Sequence, residues 1–290
     1  IRLLELPGGP RRLTALVARD IINALRAGTV PQSGLEFLAV GLDRELDVIS
    51  AQLQHVATGR GEFKFVRGAY GAGKTFLSAL AAEEALQRGF ATSYVVVSTD
   101  TPLHKLEVIY RRIVTNLRTR GQETGALKGL IDRWLYRLEE KVIELEGYDE
   151  DDPRLAERVA AQIENDLATV SEHHSAFSAA IRGYYQAQLE DDYPTAQALL
   201  GWVSGEDQIS FQVKRKVNIR GDIDNTVALE FLRAVNAVAR KAGLAGLAIF
   251  FDEVETIQRL RKDQRGKSLS TIRQLVDGVI QDNQPLFLLM

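Results

Sequence analysis

Apolar residues along this chain follow two patterns, a period near 3.6 and short unbroken runs. Their order predicts helices alternating with buried strands. From Arg11 to Arg26 the apolar positions 13, 16, 17, 21, 22 and 25 mark one helical face, which Gly28-Thr29-Val30-Pro31 breaks. After Leu38-Ala39-Val40-Gly41, Asp43-Arg44-Glu45 opens a second amphipathic helix to about Val56. Thr58-Gly59-Arg60-Gly61 reads as a turn and Phe63 to Arg67 as a short strand. Lys74 to Arg88 reads as a helix stopped by Gly89 at C′. Ala91 to Ser98, carrying Tyr94-Val95-Val96-Val97, predicts a second buried strand. Thr99-Asp100-Thr101-Pro102 predicts the next helix start, with Thr101 as N-cap and Pro102 at the first helical position, running to about Arg118.

From Gly121 to about Asn225 helical periods dominate, as in Leu127 to Leu145 and Leu155 to Leu167, and no strong strand signal appears. Asp149-Glu150-Asp151-Asp152-Pro153 and Glu190-Asp191-Asp192 are acidic breaks. Thr226 to Lys241 predicts an amphipathic helix ended by Gly243. Leu247-Ala248-Ile249-Phe250-Phe251 is a continuous apolar run, as expected of a strand buried on both faces of a parallel sheet. A helix pair over Val254 to Asp277 and a strand at Pro285 to Met290 follow. The expected fold is α/β: a parallel sheet flanked by helices, with residues 1–120 and 222–290 as its core and 121–221 as a long helical insertion. The chain starts at Ile1 and stops inside an apparent strand, so it reads as the N-terminal portion of a longer protein.

The turn between the first strand and its helix carries the chemistry. Gly68-Ala69-Tyr70-Gly71-Ala72-Gly73-Lys74-Thr75 fits G-x-x-x-x-G-K-[ST], the phosphate-cradling P-loop. Glycines let the backbone curl so that its N–H groups aim at phosphate oxygens, and the helix N-terminus adds partial positive charge beneath them. Lys74 would reach the β- and γ-phosphates, and the Thr75 hydroxyl would hold Mg²⁺. The run 247–251 ends in Asp252-Glu253, the Walker B pattern, at the strand end where open α/β sheets bind ligands. Asp252 would hold Mg²⁺, and Glu253 would orient or deprotonate the attacking water.

Composition narrows the setting. The chain has 290 residues, 45% of them hydrophobic, enough for a sizeable core. A net charge of −3 supplies no bulk field attractive to nucleic acid. No apolar run approaches a membrane span, no signal-peptide pattern opens the chain, and there is no Cys. A cytoplasmic enzyme is the expectation. The histidines at 55, 104, 173 and 174 lack zinc-enzyme spacing, and His173-His174 reads as polar helix surface. Lys214-Arg215-Lys216 with Arg220 reads either as a solvated loop or as a nucleic-acid or partner contact. A second basic run lies at 259, 261, 262, 265, 267 and 273.

The Walker pair, with further elements between its halves, resembles the ASCE class of P-loop ATPases, including AAA+ proteins. Val40-Gly41-Leu42-Asp43-Arg44-Glu45 resembles the box that lies near the adenine in origin-recognition-type members, although Leu42 and Asp43 separate its Gly from Arg-Glu. Longer stretches resemble the BrxD-type ATP-binding proteins of BREX phage-defence systems. These are 22–31, 66–76, 101–106, 219–224 and 252–260, with 273–277 also fitting. The resemblance implies an ATPase using ATP and Mg²⁺ in a multi-gene defence system, with DNA, other BREX proteins and further copies of itself as partners. It implies that sensor residues, an arginine finger and a DNA-binding segment would follow Met290. A slow ATP-dependent switch stays open as a different class. A kinase fits the Asp252-Glu253 pair less well, and a GTPase would need an N-K-x-D motif, which is missing.

Overall fold

The computed structural model describes residues 13–31, 33–149, 152–168, 174–281 and 285–290. His173, Glu150, Asp151 and the first residues of the predicted opening helix lie outside the described residues, as does the side chain of His174. Four strands form one sheet: β1 (Glu62–Lys64), β2 (Ala91–Val96), β3 (Leu247–Asp252) and β4 (Leu286–Leu289). All neighbours are parallel, and the order is β1-β4-β3-β2. Every residue of β3 and β4 is buried, as a central parallel strand covered on both faces requires.

Side-chain parity assigns the two faces. Ala248, Phe250, Phe287 and Leu289 pack with α2 (Asp43–Ala57) and α3 (Lys74–Gln87). Leu247, Ile249, Phe251, Leu286 and Leu288 point the other way, toward α4 (Leu106–Thr115) and α10 (Ala228–Lys241). Between these two helices the chain forms α5 (Leu127–Glu146), α6 (Pro153–Ala168), α7 (His174–Leu189), α8 (Tyr193–Val203) and α9 (Phe211–Lys216). Their apolar faces join the same cluster as the second sheet face. Phe231 on α10 is the hub, edge-on to Tyr110, Phe177 and Trp202 at centroid distances of 6.1, 5.4 and 5.4 Å. An N-terminal helix, α1 (Ala15–Arg26), is capped by Thr14, and α11 (Lys262–Gln281) joins β3 to β4 after a 3-10 turn at Val254–Arg259. Among the described residues no helix is long and apolar enough to cross a membrane.

Two sequence expectations change. Thr101 is not an N-cap: its segment turns on Ser98, whose hydroxyl accepts from the Asp100 and Thr101 amides. Helix α4 starts only at Leu106, and its first amide donates to Asn225 Oδ1 at 2.5 Å, a cap supplied from far along the chain. It also stops at Thr115, short of Arg118, because Arg118 exchanges both backbone hydrogen bonds with Thr92 and so closes the outer edge of β2. Strand β1 is shorter than the predicted 63–67, although the Val66 amide still donates to the Met290 carbonyl at 2.7 Å. The Lys214–Lys216 cluster is not a loop but the end of α9, capped by Ser210.

Candidate functional site

Beyond β1 the chain leaves the sheet and curls into the glycine loop. Gly71 and Gly73 take φ of 76° and 85°, a region that costs an L side chain energy and a glycine none. Gly73 caps α3 with no side-chain hydrogen bond, so the helix N-terminus keeps amides open to an anion. Tyr70, Gly71, Ala72, Gly73 and Thr75 are exposed. The Lys74 side chain folds back over the loop. Its Nζ donates to the carbonyls of Gly68 at 3.2 Å and Ala69 at 3.3 Å, and sits 3.6 Å from Glu255 Oε1.

The acidic pair meets this loop because of strand parity. Asp252 has the same parity as Phe250, so it leaves β3 on the face that α3 covers. Gly68, Lys74, Ser78, Asp252, Glu253, Glu255 and Gln258 then line one cavity of about 390 Å³. Glu253 is left-handed, with φ 58°, an uncommon state for a residue with a side chain. It turns the chain into the 3-10 segment and brings Glu255 back toward Lys74. Its amide donates to Asp252 Oδ1 at 2.9 Å.

Tyr94 is the residue that sequence reasoning missed. It pairs with Phe250 in the β2–β3 register, two residues short of Asp252 and on the same face. Its hydroxyl donates to Asp252 Oδ2 at 2.9 Å. Burial pushes the phenol well above its ordinary value. The Asp252 charge and the hydrogen bond to Asp252 add to this, a hydrogen bond from Ser78 opposes it, and the charge of Glu253 adds a little more. The hydroxyl therefore stays a donor. Thr75 does not line the first cavity. It lies with Tyr94 on a second one of about 410 Å³, and the Tyr94–Asp252 hydrogen bond links the two. Val40, proposed near a base, is 74% exposed.

A parallel sheet whose first strand runs through a glycine loop into a helix, with an acidic pair leaving a neighbouring strand on that helix's face, is an α/β architecture compatible with a P-loop NTPase. The family comparison is more particular. The chain belongs to the BREX system ATP-binding protein BrxC/D family, whose model matches residues 14–290. That bears out the resemblance drawn from the sequence, and the family's description indicates an ATP-binding protein of phage defence. Comparison with curated proteins and with solved structures gave no match.

Proposed function

We propose that this chain hydrolyses the ATP it binds. The observation that carries the reading is the convergence of Lys74, Asp252 and Glu253 on one cavity. In this reading the loop Gly68, Ala69, Tyr70, Gly71, Ala72, Gly73, Lys74 and Thr75 wraps the phosphates, and its amides with the α3 N-terminus carry their charge. Lys74 leaves the carbonyls of Gly68 and Ala69 for the β- and γ-phosphate oxygens. Glu253, at the exposed lip, orients a water and takes its proton.

The oxygen donors present fit a magnesium ion. Among the described residues no group of three or more His, Cys, Asp or Glu could hold a metal by itself. Magnesium uses one or two protein oxygens with substrate phosphates and water, so the Thr75 hydroxyl and the Asp252 carboxylate suffice. Held by the Thr75 hydroxyl and the Asp252 carboxylate, a bound Mg²⁺ would supply positive charge against the phosphates. Tyr94 and the Glu253 amide hold the two Asp252 oxygens in place for that role.

The strand order supports assignment to the ASCE class, because β4 separates the glycine-loop strand from β3. We read residues 1–120 and 222–290 as the nucleotide core and 121–221 as the helical insertion, acting in the cytoplasm with DNA, other BREX proteins and further copies of the chain. One observation favours a second reading, a slow ATP-dependent switch. Lys74 is held by Gly68, Ala69 and Glu255, so nucleotide must rearrange the site to engage it. Calorimetric titration with ATP·Mg²⁺ tests the binding assignment. Lys74→Ala should weaken affinity by about 10-fold or more, the scale of charge-assisted hydrogen bonds. Affinity and turnover equal to those of the parent chain would overturn it.

A further inference from the structure

The two basic clusters look alike in sequence and differ in structure. Lys214 is paired with Asp222 at 2.5 Å and Lys216 with Asp192 at 2.9 Å, so two of that cluster's four cations are neutralised by their own neighbours. Arg259, Arg261, Lys262, Arg265 and Lys267 are all exposed, and none has a side-chain partner among the described residues. They fall within nine residues, against the single acid Asp263. Helix α11 turns Ser268, Thr271, Leu275 and Val279 inward, which leaves these cations on the outside at its N-terminal end. The dipole there favours anions as well.

We infer that Arg259, Arg261, Lys262, Arg265 and Lys267 form a surface that binds the phosphate backbone of duplex DNA. This deepens the reading of the chain as an ATPase that works with DNA. Three of the five are arginines, whose planar forks match phosphate oxygens. The patch offers no exposed aromatic anchor, and Leu269 is the one exposed large apolar residue next to it among the described residues, while a protein-binding surface is depleted in lysine and centred on apolar residues. Backbone recognition needs only cations, so the surface takes duplex without regard to sequence. It also adjoins the nucleotide cavity, because Gln258 lines that cavity one residue before Arg259.

The test is fluorescence anisotropy of a labelled 30-base-pair mixed-sequence duplex, without nucleotide, from about 50 to 200 mM salt. The parent chain should bind at the low end and release as salt rises. The triple variant Arg261→Ala, Lys262→Ala, Arg265→Ala, shown folded by circular dichroism, should bind at least about 10-fold more weakly at low salt. Its salt slope should be shallower by about 3, near one per phosphate contact removed. The double variant Lys214→Ala, Lys216→Ala should stay within about twofold of the parent. Lys74→Ala should bind duplex normally, so a failure of the ATP reading leaves this result standing. Three results would overturn the inference: no duplex binding at 50 mM salt, a triple variant that binds like the parent, or polyglutamate displacing the duplex at equal charge concentration, which marks an acidic protein as the partner.

Discussion

Replacing Tyr94 with Phe removes one hydroxyl and leaves the ring where it packs against the α3 face of the sheet. The lost group donates to Asp252 Oδ2 at 2.9 Å, and Asp252 is only 9% exposed. A hydrogen bond to a charged acceptor contributes about 1.5–3 kcal/mol. Asp252 also borders the open cavity, where water can take the vacated position, and it keeps the Glu253 amide on its other oxygen. The lower end, about 1.5 kcal/mol, is the expectation, which corresponds to a fall in Tm of about 2–3 °C for a chain of 290 residues. The pH dependence follows from the raised folded-state pKa of Tyr94. A group raised on folding contributes stability that is fully present below its unfolded value, near 10, and is lost only as pH rises from there through the folded value. The difference between parent and variant should therefore be flat from pH 6 to 9 and shrink above about 10. Urea denaturation at several pH values measures it. An unchanged midpoint at pH 7, with the variant folded, would refute the claim that this hydroxyl holds Asp252.

Glu255→Gln removes the carboxylate 3.6 Å from Lys74. The pair is partly exposed and worth about 0–1 kcal/mol, so ATP should bind up to about fivefold more tightly by calorimetry, and weaker binding would mean that Glu255 helps the nucleotide. Gly246→Ala should destabilise by at least about 1–3 kcal/mol in urea, because Gly246 sits at φ 145° and an added Cβ would lie 2.6 Å from the Pro285 carbonyl oxygen. A variant as stable as the parent would show that this junction before β3 relaxes freely.

Local features were legible in the sequence where the physics is local. The glycine loop lies within eight residues, and the buried run before Asp252 needs only its own apolar pattern. That pattern placed β3 and put Asp252 at its end, while the face on which Asp252 emerges shows only in the packing against α3. What was not legible depends on partners distant in sequence. Helix α4 is capped by Asn225, so Thr101 was the wrong local choice. Its end is set by the edge of β2, where Arg118 pairs with Thr92. Tyr94 reads as one more apolar strand residue until the β2–β3 register sets it beside Asp252. The Lys74–Glu255 contact depends on a left-handed Glu253, which no residue preference announces. The two basic clusters separate only once Asp222 and Asp192 are seen to pair with Lys214 and Lys216.

The most direct test of the central claim is steady-state ATP hydrolysis by the parent chain and by Glu253→Gln, with ATP·Mg²⁺ affinity measured on the same preparations. The substitution removes the proposed base and leaves Lys74, Thr75 and Asp252 in place. Affinity should stay within a few fold of the parent and turnover should fall by about 10²-fold or more, the scale of losing a positioned general base. Equal turnover in both proteins would contradict it.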